Sequence, residues 1–187
     1  MNGIEVLNIL KKLTSKEYLE LSALELLSSQ GIDKVTVKDI CSNCNLSTHT
    51  FYKYYRDKYD IINTCFNSKL EQFYTLYDPN INIRNFLLFT AQIVNEHLDF
   101  WENVFRYTGQ NNVRLSLVKP LSEHYLRIIH DYCGAEITQP IKDAVKFYVQ
   151  GQLSYVEEAL TRTNIPGTKA SVDYFVNAIP VLLYPYL

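Results

Sequence analysis

Glycine, cysteine, tryptophan and methionine are scarce in this chain, with 6, 4, 1 and 1 copies among 187 residues. None of the glycines forms a phosphate-cradling loop, and no nucleophile paired with a base and no cluster of metal-ligand spacing is present. Enzymatic activity and a bound cofactor or metal are therefore not expected. The cysteines, at 41, 44, 65 and 133, are too few and too unevenly spaced for a disulfide framework. Long apolar runs are also missing, because polar side chains interrupt every stretch approaching the roughly eighteen residues a membrane span needs. The start Met1-Asn2-Gly3-Ile4-Glu5 lacks the basic and then apolar order of a secretory signal. A cytoplasmic protein with no membrane partner is expected.

What is present is an ordinary globular composition, 47% hydrophobic and 20% charged, with a formal charge of −2. That charge speaks against a generic polyanion binder. Its distribution is uneven, because residues 34–58 hold Lys34, Lys38, Lys53, Arg56 and Lys58 against Asp39 and Asp57, a local excess of +3. Such a patch suffices to touch phosphates with an affinity that falls steeply with salt.

Helical periodicity dominates and no alternating run bounded by hairpin turns appears, so the class is all-α. A first helix over about Ser15 to Gln30 carries Leu19, Ala23, Leu26 and Leu27, with Gly31 where a left-handed cap belongs. Thr36, with Asp39 three residues on, caps a short helix to about Asn43. Ser47 caps another through Tyr55, and Asn45 takes the left-handed position between them. A longer helix from Lys58 to about Leu76 ends at Asp78-Pro79-Asn80. Five helices follow: Ile83 to Leu98, Phe100 to Tyr107, Val113 to Tyr132, Pro140 to Arg162, and Ser171 to Tyr184. Thr163-Asn164-Ile165-Pro166-Gly167 separates the last two, and Pro180 is expected to kink the final one near Ile179. The expected organisation is a three-helix N-terminal domain over residues 1–62, its linking helix continuing to about 76. A larger C-terminal helical bundle occupies 63–187.

Two short helices across a three-residue turn form a helix-turn-helix. Leu26, Leu27, Ile32, Val37, Ile40, Leu46, Phe51 and Tyr55 would make its small core. The second helix then presents Thr48, His49, Tyr52 and Lys53 outward, where a recognition helix meets base edges in the major groove. Thr36 and Lys58, each at the start of a helix, are phosphate-contact candidates.

The set Ala23-Leu24-Glu25-Leu26-Leu27, Gly31, Thr36-Val37-Lys38-Asp39-Ile40, Leu46-Ser47, Thr50-Phe51-Tyr52-Lys53-Tyr54-Tyr55, Lys58 and Ile61-Ile62 resembles the DNA-binding domain of TetR/AcrR-type regulators. Residues 63–187 look like a version of the C-terminal domain common in low-GC Gram-positive bacteria. The resemblance implies a homodimer on a pseudo-palindromic double-stranded DNA operator, with half-sites about 34–36 Å apart. It implies a repressor released by a small-molecule effector. The alternative is the same fold without small-molecule control, acting through a protein partner or as an activator. It adds Tyr54 to the backbone-contact candidates. Where relatives usually have glycine, this chain has Asn45 in the turn and His49 on the reading surface.

Outside this motif the readings diverge. Cys41-Ser42-Asn43-Cys44 has redox or half-zinc spacing, and buried structural cysteine is the expectation. His97, His124 and His130 stand beside acids but at no standard metal spacing, so solvated helix faces are expected. Phe100, Trp101, Phe105, Tyr107, Tyr125, Tyr148 and Tyr155, with Arg106, Arg127 and Gln152, would be core or would line a pocket. Trp101, Phe105, Tyr125, Tyr148 and Gln152 are the effector candidates among them. Apolar stripes over 145–156 and 172–183 supply the dimer-interface candidates Val149, Leu153, Val156, Val172, Phe175, Val176, Ile179 and Leu183.

Overall fold

The computed structural model describes residues 13–107, 113–162 and 167–187, and among them there is no β-strand. Helix α1 (Ser15–Gln30) opens on a capping box in which Thr14 Oγ1 accepts from Glu17 N–H and the Glu17 carboxylate accepts from Thr14 N–H at 2.6 Å. Two amides that the helix leaves without partners are thus satisfied reciprocally. The helix stops at Gly31, where φ is 86° and ψ is 157°. This is not the left-handed helical cap expected from the sequence. Positive φ with extended ψ is open essentially to glycine alone.

Helix α2 (Val37–Asn43) and helix α3 (Thr48–Tyr54) follow the sequence expectation closely. Thr36 and Asp39 form the capping box of α2, Ser47 accepts from Thr50 N–H at the start of α3, and Asn45 sits in the turn with φ of 54°. Around them Leu27, Ile32, Ile40, Phe51 and Tyr55 are buried, with Leu26, Val37 and Leu46 packed against them half-buried.

Helix α4 (Lys58–Leu76) is capped by Asp57, which accepts from Tyr59 and Asp60 N–H. It buries Ile61, Ile62, Phe66, Leu70, Phe73 and Tyr74 along one flank. That flank closes the core of the N-terminal head and continues as one wall of the body. The body comprises α5 (Ile83–Glu96), α6 (Leu98–Phe105), α7 (Val113–Arg127), α8 (Gln139–Thr161) and α9 (Thr168–Asn177).

Two of the expected C-terminal helices end differently. The helix from Val113 keeps α geometry only to Arg127 and widens into a π turn, Ile128–Tyr132, in which Cys133 N–H reaches the Ile128 carbonyl at 3.1 Å. The last helix begins at Thr168 and stops at Asn177 instead of kinking near Ile179. Pro180 has no N–H to continue the ladder and drives Ile179 out of the helical region. The chain resumes as a 3-10 turn, Val181–Tyr186. Of the segment expected to separate the last two helices, Thr163 to Pro166 lies outside the described residues.

Head and body share one hydrophobic core. From α6, Asn103 Nδ2 donates to the Leu27 and Ser28 carbonyls in the last turn of α1, at 3.1 and 2.7 Å. These carbonyls stand where a helix needs outside donors. Beside this clamp, Phe66 of α4 meets Trp101 of α6 edge to face at 5.2 Å. No helix of the described residues is long and apolar enough to cross a membrane.

Candidate nucleic-acid interface

Alternation of buried and exposed side chains on α3 orients the candidate reading surface. Phe51 is fully buried and Tyr55, just beyond the helix, nearly so, while Thr48, His49, Tyr52, Lys53 and Tyr54 are exposed. Tyr52 leaves 60% of its surface in solvent. A large ring that open to water contributes little to folding and is free to cover a partner. The helix is held in its orientation by polar contacts as well. Tyr55 Oη donates to Glu20 Oε1 at 2.7 Å, and burial with Glu20 beside it raises the phenol far above its ordinary range, so the hydroxyl keeps its proton. Ser22 Oγ donates to the Ile40 carbonyl at 2.7 Å, and Asn43 Nδ2 reaches Ser22 Oγ and Glu25 Oε2 at 3.2 and 3.0 Å. These contacts tie α2 and α3 onto α1. The sequence reading did not single them out, since a polar residue between two short helices looks like solvent-facing surface.

The charged groups divide cleanly. Asp39, Asp57 and Asp60 each accept a hydrogen bond from a backbone amide, and the Asp39 carboxyl is held low by the hydroxyl and amide of Thr36. Lys34, Lys38, Lys53 and Arg56 are exposed and form no ion pair among the described residues. Their charges are available to phosphates. Two backbone-contact candidates are otherwise engaged. Thr36 is exposed, but its hydroxyl donates to Asp39 Oδ2 at 2.6 Å. Lys58 is half-buried, and its ammonium donates to the Ile32 and Val35 carbonyls in the link between α1 and α2.

Residues 21–65 match the sequence model described as "Bacterial regulatory proteins, tetR family". The head of this protein is thus similar to the DNA-binding part of that family. No curated protein sequence matches the chain. Among solved structures, the dihydroxyacetone kinase operon activator DhaS is similar with a TM-score of 0.63 at 16% identity, covering 91% of this chain and 97% of that one. The FadR repressor of Thermus thermophilus, solved with lauroyl-CoA, gives a TM-score of 0.64 at 12% identity, covering 88% and 92%. FadR from Bacillus halodurans gives 0.51 at 14%, covering 88% and 94%. The chain therefore has the fold of TetR-family regulators along most of its length. Since one of these proteins is named an activator and another a repressor, the fold accommodates either sign of control.

Beyond the helix-turn-helix head, four of the five effector candidates meet. Trp101, Phe105, Tyr125 and Gln152 line a cavity of about 90 Å³ enclosed by α4 to α9. Its lining has no charged side chain, and Tyr125 Oη donates to Gln152 Oε1 at 3.0 Å. Full burial raises the Tyr125 phenol well above its ordinary range, so it remains a protonated donor. Tyr148 stands outside this lining, its hydroxyl donating to the Phe175 carbonyl at 2.6 Å. The polar fixtures Arg106 and Arg127 are elsewhere, one paired with Glu102 and the other lying 3.8 Å from the Tyr74 ring.

Six of the eight dimer candidates also face inward. Val149, Leu153, Val172, Phe175, Ile179 and Leu183 are buried inside the single chain, and Val156 and Val176 are half-buried. The buried members of these stripes cover the core of the single chain. The exposed apolar side chains nearby are Phe147 at 75% and Val181 at 76%, with Tyr174, Leu182 and Tyr184 near half.

The histidines and cysteines form no group that could hold a metal ion among the described residues. Contrary to the solvated face expected, His124 is buried, with Nδ1 2.9 Å from Tyr74 Oη and Nε2 3.2 Å from Asn67 Oδ1. An amide oxygen only accepts, so Nε2 carries the proton and Nδ1 accepts from the tyrosine. Cys41 is buried and Cys44 half-buried, its thiol donating to the Ile40 carbonyl at 3.3 Å. Burial raises both thiols and disfavours the reactive thiolate.

Proposed function

We propose that the protein is a homodimeric, sequence-specific DNA-binding transcriptional regulator of the repressor type, released by a small apolar effector. One observation carries the reading most: α3 buries Phe51, anchors Tyr55 on Glu20, and leaves Thr48, His49, Tyr52 and Lys53 exposed beside unpaired cations. Thr48, His49 and Tyr52 would read bases, while Lys53 and Tyr54 reach the edge of the groove and its phosphates. Lys58 serves the fold first, and Thr36 would contact phosphate only through backbone. Residues to about 62 form the DNA-binding part, and α4 carries its orientation into the C-terminal part.

The dimer would form on the outer face of α8 around Phe147, Gly151 and Ser154, continued by Val181, Leu182 and Tyr184. All are exposed, and Gly151 and Ser154 are small enough for close helix approach. The cavity around Trp101, Tyr125 and Gln152 would take the effector, and at about 90 Å³, below the usual range of ligand pockets, it would widen to do so. Without charged groups it suits a neutral, largely apolar molecule.

The test is gel-shift titration against DNA upstream of the protein's own gene at two salt concentrations. Tyr52→Ala and Lys53→Ala are expected to weaken binding at least tenfold and leave the thermal midpoint within about 1 °C, as surface substitutions do. Unchanged affinity in both variants overturns the docking geometry. A reporter fused to the same DNA gives the sign of regulation: expression rising on deletion of the regulator fits the repressor, and falling fits the activator.

A further inference from the structure

A groove of about 400 Å³ runs where head meets body, between α1, α4 and the junction of α5 with α6. It shares the Phe66 and Trp101 wall with the uncharged cavity but opens toward α1, and its volume falls in the size range of small-molecule sites, about 300–1,000 Å³. Leu21, Leu24, Phe66, Phe100 and Trp101 give it an apolar lining. Lys69 and His97 also line it, with Lys69 Nζ 3.4 Å from His97 Nε2.

That pair is unusual in what it lacks. A charged ammonium cannot accept a hydrogen bond, so the imidazole accepts and the positive charge is left without a counter-ion. Among the described residues no carboxylate lies within ion-pair distance of Lys69. Of the acids that line the groove, Glu20 is paired with Lys16 at 3.8 Å and accepts from Tyr55, while Glu17 keeps its charge and is tied back to Thr14 at the start of α1. Burial, and then the Lys69 charge, hold His97 below the ordinary imidazole value, which keeps it neutral near pH 7. Lys69 is therefore the groove's cation without a carboxylate partner, set beside an apolar trough whose acids are tied back along α1. This complements a monoanion with a hydrocarbon tail better than a phosphate dianion, which would keep an unneutralised charge on desolvation.

We propose that this groove is a second ligand site, distinct from the effector cavity, for an amphipathic molecule bearing a single carboxylate. The carboxylate pairs with Lys69 beside His97 and the tail lies over Leu21, Leu24 and Phe100. Such a ligand touches α1 of the head together with α4 and α6. Its occupancy therefore favours whichever head orientation leaves the groove open, and it shifts operator affinity only by that difference.

The experiment is isothermal titration of the full-length chain at pH 7.5 with sodium decanoate and with 1-decanol, below micellar concentrations. Expected is saturable decanoate binding at one per chain, weakened about tenfold by Lys69→Met, with decanol affinity unchanged in that variant. Leu24→Trp, which fills the groove, abolishes decanoate binding, and Ala159→Phe, which fills the separate cavity, leaves it intact. A loss below threefold in Lys69→Met overturns the proposal, as does loss in Ala159→Phe with retention in Leu24→Trp. No saturable binding to the full chain overturns it as well. Operator binding by the ligand-free protein is measured separately, so failure here leaves the DNA-binding reading standing.

Discussion

Lys58→Met separates two roles that one side chain could play at the start of α4. In the structure the ammonium donates to the carbonyls of Ile32 and Val35, both fully buried residues in the link from α1 to α2. Methionine keeps an apolar stem of similar length and removes both donors, leaving two carbonyls of a buried segment without this partner. Hydrogen bonds from a charged donor contribute about 1.5–3 kcal/mol each, and partial exposure of the lysine places these at the low end. The expected loss is about 2–3 kcal/mol, which for a chain of this size lowers the thermal midpoint by roughly 5–10 °C. A phosphate ligand predicts a different signature, a salt dependence of operator binding that becomes shallower by about 0.9 for each phosphate no longer neutralised. Thermal unfolding by circular dichroism, with gel-shift titrations from 50 to about 200 mM salt, distinguishes the two. A fall in midpoint with an unchanged salt slope supports the structural clamp. An unchanged midpoint with a shallower slope refutes it and restores Lys58 as a phosphate ligand.

Asn103→Ala removes both donors from the last turn of α1 and is expected to cost about 1–2 kcal/mol in chemical unfolding; a change under about 0.3 kcal/mol would mean that the clamp is dispensable. Phe147→Asp puts a charge on the exposed face of α8, so light scattering should report a monomer with an unaltered helical spectrum, and a retained dimer would exclude this face. His124 is held below its ordinary value of 6.5 chiefly by burial, with Arg127 acting in the same direction and Glu71 and Glu123 opposing. The unfolded chain then takes up this proton at higher pH than the native chain, so the stability from the buried neutral ring is complete above about pH 6.5 and is lost as pH falls below it. The thermal midpoint is expected to drop between pH 7.5 and 5.5 and to drop less in His124→Gln; equal slopes in both proteins would contradict the assignment.

The head was readable in the sequence because its signals are local. Thr36 with Asp39, Ser47 before Thr50, and Asn45 in the turn each act within three or four residues, and each stands in the structure where the spacing puts it. The polar contacts that aim α3 were not readable. Tyr55 meets Glu20 across 35 residues and Asn43 meets Ser22 across 21. No periodicity encodes a bond at that separation. Lys58 shows the same limit from the other side. Its position at a helix start suggested phosphate, while the fold brings two carbonyls to it from residues 23 and 26 positions earlier.

Six of the eight dimer candidates turn inward for a physical reason that also says where to look. A stripe of apolar residues at helical spacing states that those side chains share a face, but not whether that face meets the same chain or a second copy. Val145, Val149 and Leu153 on α8, with Val172 and Phe175 on α9, make regular stripes, and all are buried within one subunit. Phe147 lies off that stripe, on the face that α8 turns to solvent, and Val181 and Leu182 follow the point where Pro180 ends the helical pattern. A core needs the regular stripe and leaves the opposite face free to be polar. Large apolar side chains kept on that opposite face gain nothing from folding the single chain. In the proposed dimer they would gain a second surface, which makes Phe147 a better candidate for that interface than any residue of the more hydrophobic stripe beside it.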